Sequence, residues 1–155
     1  MKISAVKANN HRRAFEVESP KGAMSLPYAR CELVPTPDDP IRTLYIDPEL
    51  GDTGFTYELA SGAQGSVLLE QFLDYNEDPD YLRDMLLYRL SLEAQRLVES
   101  SPLAKREIIR RMGTSAAQFY RLLDQTNYRK SLDSMFALLT VLGCDVDIVV
   151  RERSA

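Results

Sequence analysis

Over roughly the first seventy residues, apolar and polar positions alternate in short runs, the period of half-buried β-strands. Met1 to Val6 and Arg13 to Glu18 are two such runs, and Ser19-Pro20-Lys21-Gly22 is the turn after the second. Ala23 to Tyr28 sets Met24, Leu26 and Tyr28 on one face, with Pro27 marking an edge or a strand end. Cys31 to Val34 is a further short run, and the proline-rich stretch 35–40 is loop. Ile41 to Ile46 predicts a strand. Phe55, Tyr57 and Leu59 predict an outer or half-buried one, and 62–65 turns the chain again. About five strands in one small, mostly antiparallel sheet result. Val67 to Asn76 reads equally as a strand end or a short helix.

Beyond Asp78 the spacing becomes helical. Asp78 as N-cap and Pro79 at the first helical position open a helix whose stripe is Leu82, Met85, Leu86 and Leu90, widened by Leu87 and Tyr88. So wide a stripe fits burial against both halves of the chain or a dimer seam. Ser91 is placed to cap a separate helix, Leu92 to Ser100, with Ala94, Leu97 and Val98 inward.

Two short amphipathic patterns follow. Ser101 and Pro102 are the expected start of the first, which runs from Leu103 to Met112. Gly113 supplies a left-handed terminus, Ser115 a second N-cap, and Ala116 to Leu123 the second pattern, with Phe119, Leu122 and Leu123 inward. Helix, tight turn and helix is the geometry that presents a recognition helix to the major groove. It is also the geometry of any antiparallel pair in a helical bundle. A polar loop follows. Ser131 then caps a helix with Leu132, Met135, Phe136, Leu139 and Leu142 inward, ended by Gly143. Asp145 to Val150 alternates and predicts a short strand, pairing with the N-terminal sheet or with its twin in a dimer. The fold class expected is α+β: a β-rich domain over 1–77 and a helical domain with a short C-terminal strand over 78–155.

Charge sharpens this picture. The net charge is −4, yet residues 1–100 hold ten basic against seventeen acidic side chains, and residues 103–130 hold seven against two. A basic patch on an acidic protein is the footprint of a local DNA-reading module rather than a nonspecific coat, although a solvated helix face leaves the same trace. Cys31 and Cys144 lie far apart without histidines at ligand spacing, which points to a reducing cytoplasm and to no disulfide or zinc site. Asp38, Asp39, Asp47, Glu49 and Asp52 lack the spacing of a calcium loop. The single histidine, His11, has no acid or nucleophile placed beside it. No phosphate loop or nucleophile elbow occurs, so no catalysis, metal or cofactor is expected. No apolar run approaches the ~20 residues of a membrane-spanning helix, and no signal peptide is read.

From about Ser91 to Val150 the chain resembles the lambda-repressor-like (XRE-type) helix-turn-helix family, in particular its compact antitoxin-like branch. The residues that carry the resemblance are I-I-R-R-M-G-T-S-A-A-Q-F-Y-R-L-L-D and S-L-D-S-M-F-A-L-L-T-V-L-G-C-D-V-D-I-V-V. The N-terminal part resembles a small β-rich domain of unassigned function found in bacterial proteins, sometimes joined to such a helix-turn-helix. The resemblance implies a homodimeric, double-stranded-DNA-binding regulator. Ser115, Ala116, Ala117, Gln118, Tyr120 and Arg121 would face the bases, where Gln pairs with adenine and Arg with guanine. Lys105, Arg106, Asn127, Tyr128, Arg129, Lys130 and Ser131 would face phosphates. Two departures carry a second reading. Alanines lead the recognition helix, where they can touch only a thymine methyl, and Ile109 stands where a small residue is usual. In that reading the helix-turn-helix is autoregulatory or docks protein, and the acidic N-terminal domain binds a small toxin or enzyme.

Overall fold

The structure is a computed structural model, and it describes residues 1–154. It divides into two compact units, Met1–Leu82 and one beginning at Arg83, a division later than the 77/78 boundary read from the sequence. The chain is mixed α+β. No helix among the described residues is long and apolar enough to cross a membrane.

The first unit contains two antiparallel three-stranded sheets, where the sequence predicts one. β1 (Ala5–Asn9), β2 (Ala14–Ser19) and β3 (Gly22–Pro27) form the first, in that order. β4 (Ile41–Ile46), β5 (Gly54–Leu59) and β6 (Gln64–Leu68) form the second. Alternation along one strand cannot say which strands pair, and here each meander closes on itself. The register sets Phe15 opposite Leu26 and Val17 opposite Met24, so both pairs face inward. Phe55, Tyr57, Leu59 and Val67 of the other sheet join them in one core, completed by Phe72 and Leu73 of α1 (Leu69–Tyr75). The Phe15 ring lies 4.9 Å from Phe55 and 4.8 Å from Tyr57. Burial of each such side chain contributes about 1.5–3 kcal/mol. Gly65 leaves room for the Tyr57 ring, which would sit 2.7 Å from a Cβ at that position.

Three expectations change in this unit. The Phe55 strand is central and buried at nearly every position, so it is neither outer nor half-buried. Its polar face is buried too, because Thr56 donates to the Asp47 carboxylate at 2.6 Å and bonds Ser66 at 2.8 Å. Cys31 to Val34 forms no strand. Val67 to Asn76 takes both alternatives in turn, with β6 ending at Leu68 and α1 starting at Leu69.

α2 (Pro79–Ser100) opens as the Asp-Pro pair predicts, with Asp78 Oδ2 accepting from the Tyr81 N–H at 3.0 Å. It then runs unbroken, so the separate helix over 92–100 does not exist. Ser91 is fully buried, and its hydroxyl donates to the Leu87 carbonyl at 2.6 Å instead of capping. That back-bond is the local alternative a mid-helix serine takes. α2's buried stripe is Leu87, Ser91, Ala94 and Val98, while Leu82 and Leu86 are exposed.

In the second unit α3 (Lys105–Met112), α4 (Ala116–Leu123) and α5 (Leu132–Val141) pack with α2. Its core gathers Ala94, Val98, Ile108, Phe119, Met135 and Leu138. α3 begins later than Ser101-Pro102 predicts, with Ala104 at the N-cap, while Ser101 Oγ accepts from the Leu103 N–H in a preceding turn. Leu132 and Phe136, expected inward on α5, are exposed. The predicted C-terminal strand is absent. Residues 145–154 join no helix or strand among the described residues and are exposed throughout. An alternating sequence forms a strand only where an edge is offered to it.

Candidate nucleic-acid interface

The α3–α4 turn is fixed by local chemistry. Gly113 adopts φ 68°, which a Cβ would disfavour, and its N–H returns to the Arg110 carbonyl at 3.1 Å. The Thr114 N–H reaches the Ile109 carbonyl at 3.3 Å. Ser115 is extended, and its hydroxyl accepts from the Gln118 N–H at 3.1 Å, capping α4 as the sequence predicts. Phe119, Leu122 and Leu123 anchor α4 in the core. Ala116, Ala117, Gln118, Tyr120 and Arg121 form its exposed face, with Tyr120 53% accessible.

The loop after α4 is held by its own polar groups. Asn127 Nδ2 donates to the Arg121 carbonyl at 3.0 Å, and Asn127 Oδ1 accepts from the Arg129 N–H at 3.1 Å. Asp124 accepts from the Thr126 hydroxyl and N–H, and these bonds hold its carboxyl below the usual range. Gln95 of α2 donates to the Leu123 carbonyl at 2.6 Å. Ser131 Oγ accepts from the Ser134 N–H at 3.2 Å, which caps α5 as expected. An open groove of about 690 Å³ results, lined by Thr114, Gln118, Arg121, Asn127, Arg129 and Ser131 among others.

The other candidates lie elsewhere. Tyr128 lines a separate groove with Leu86, Leu90 and Leu132. Lys105 pairs with Glu99 at 3.2 Å, and Arg106 is exposed. Arg110 and Arg111 both pair with Glu107, at 2.5 and 2.9 Å. Hydrogen bonds first from Arg110 and then from Arg111 hold the Glu107 carboxyl down to about 2.

Lys130 is placed differently from its expected role. Its ammonium turns inward and donates to Ser91 Oγ, to the Leu122 carbonyl at 2.9 Å and to the Asp124 carbonyl at 2.7 Å. All three N–H groups are used, so none remains for a phosphate. Burial pushes this ammonium below its usual value, against the opposing pull of Asp124. Lys130 thus ties the end of α4 to α2.

Sequence reasoning passed over Thr114, Gln95 and Glu107. The first two are visible only once the elements are assembled. Glu107 stands three and four residues before Arg110 and Arg111, a spacing that announces helical ion pairs. A second groove, of about 540 Å³, is lined by residues of the three strands of the first sheet, among them Lys7, Glu16 and Ser25, and by Asn76. Within it Glu16 accepts from Asn9 at 2.9 Å and pairs with Lys7 at 3.0 Å.

The fold and this site define a two-unit α+β protein with a capped helical pair beside a polar, basic groove. Comparison of the chain with protein-family models, curated proteins and solved structures finds no match.

Proposed function

We propose that α3 and α4 act as a helix-turn-helix that sets α4 in the major groove of double-stranded DNA, in a cytoplasmic regulator that works by binding and not by catalysis. The observation that carries this reading is the outward face of α4. It contains no acidic residue, it is pinned by the Ser115 cap and the Phe119 anchor, and it borders a groove that holds Arg121 and Arg129. Gln118 and Arg121 are the base-reading side chains, and Ser115, Ala116, Ala117 and Tyr120 complete the surface. Arg106, Arg129, Asn127 and the N–H groups at the Ser131 end of α5 serve phosphates. Two copies would occupy half-sites about 34 Å apart.

The test is fluorescence anisotropy of the purified protein with duplex from upstream of its own gene, across a salt series, with random duplex as control. Preferential binding whose log affinity falls linearly with log salt supports the reading. No binding to either duplex at low salt overturns it.

A second reading rests on the internal pairing of Arg110, Arg111 and Lys130 and on the two leading alanines. Here the helical pair docks protein, and the acidic N-terminal unit holds a small toxin or enzyme. A native pulldown that recovers no stoichiometric partner counts against it.

A further inference from the structure

Residues 145–153 read D-V-D-I-V-V-R-E-R. They follow α5 and Gly143, and they are exposed along their whole length, with Ile148 82% and Val150 90% accessible. Four β-branched residues in a row of five, all wet, are a strand-forming sequence without a sheet. The charges around them are arranged with their own complement. Aspartates stand at 145 and 147, arginines at 151 and 153, and Val149 lies midway between the two sets.

We propose that this segment pairs antiparallel with the same segment of a second copy, about a two-fold axis at Val149. In that register Asp147 faces the second copy's Arg151 and Asp145 its Arg153, and each pair occurs twice by symmetry. Val149 faces itself on the same side of the ribbon. Val146, Ile148 and Val150 share the opposite side, where Ile148 faces Val150 and Val146 faces Glu152, so that side is apolar at its centre and edged by Glu152. A slip of one residue in either direction sets an aspartate against Glu152. A parallel in-register pairing sets every charge against its like. A slip of two residues keeps only one of the two kinds of ion pair, so the pattern favours the antiparallel orientation and this register, and it fits this chain as its own partner. This deepens the reading of a two-copy DNA binder by naming the surface that joins the copies. Its test contains no DNA, so failure of one reading is distinguishable from failure of the other.

Sedimentation velocity of the full chain over a concentration series is the test. Wild type is expected to shift from monomer to dimer as concentration rises. Asp147→Arg places an arginine opposite Arg151 twice and weakens the dimer by about tenfold or more, and Arg151→Asp does the same with aspartates. An equimolar mixture of these two variants restores the dimer, because each chain now carries the other's complement. The double variant Asp147→Arg/Arg151→Asp also restores it. Orientation is read separately with one introduced cysteine in a Cys144→Ser background, where the remaining Cys31 is buried. Val149→Cys should form an interchain disulfide under mild oxidation and Asp145→Cys should not, whereas a parallel ribbon would cross-link both. A monomer at all concentrations overturns the proposal. So does a dimer indifferent to the charge reversals, or an interchain disulfide in the Asp145→Cys variant.

Discussion

α3 and α4 have the same length and stand on either side of one short turn, yet they treat charge in opposite ways. α3 carries Lys105, Arg106, Arg110 and Arg111, and most of that charge is met at home. Glu107 takes both later arginines, and Glu99 takes Lys105. α4 has a single arginine and no acid. The nearest carboxylate after it, Asp124, is occupied by Thr126. The richer helix is thus the poorer candidate for an anionic partner. A count of basic residues locates a patch, but the placement of acids within it decides which cations are available.

Four changes would break or sharpen this contrast. The largest effect is expected at Phe119, which holds α4 in place. Phe119→Ala should cost about 3–5 kcal/mol by leaving a cavity under the helix, read as an earlier urea transition. Lys130 comes next. Lys130→Met keeps the aliphatic stem but strips donors from the Leu122 and Asp124 carbonyls, so the helical unit should lose about 1–3 kcal/mol in the same measurement. A variant as stable as wild type would mean that the inward ammonium does not matter. Third, Glu107→Gln frees Arg110 and Arg111. DNA affinity should rise a few-fold and its salt dependence steepen, whereas α4 variants move both the other way.

The smallest effect is one of pH. The folded Glu107 carboxyl titrates below its ordinary value of 4.5, at about 2. Its stabilising contribution is therefore fully present above the unfolded value and fades as pH falls through about 2. NMR titration of the Glu107 carboxyl should place its midpoint near 2. In the Arg110→Ala/Arg111→Ala variant the midpoint should return toward 4.5.

Features that depend on a few neighbouring residues were legible in the sequence. Gly113, Ser115, Ser131 and the Asp78-Pro79 pair mark their helix ends where they are found, because each acts within one turn of backbone. Features settled by distant partners were not. The division of six strands into two sheets depends on pairing rather than alternation. Thr56 looks solvent-facing until Asp47 arrives to satisfy it. Ser91 has the form of a cap, but its hydroxyl is taken by Leu87 from within the helix and by Lys130 from 39 residues away. The basic groove was only half legible. Gln118, Arg121, Asn127 and Arg129 converge on it, while Lys130 also lines it but has its ammonium engaged by Ser91 and by the Leu122 and Asp124 carbonyls.

The central claim is that DNA meets the α4 side of the helical pair. Its most direct test is the salt slope of DNA binding for two double variants, Arg121→Ala/Arg129→Ala and Arg110→Ala/Arg111→Ala, against wild type. Loss of the Arg129 phosphate contact should lower the slope by about 0.9, and loss of the base-reading Arg121 should weaken binding further. The account predicts a flatter slope and weaker binding for the first pair and a nearly unchanged slope for the second. A flattened slope for the Arg110/Arg111 pair alone, with the Arg121/Arg129 pair behaving as wild type, would contradict it.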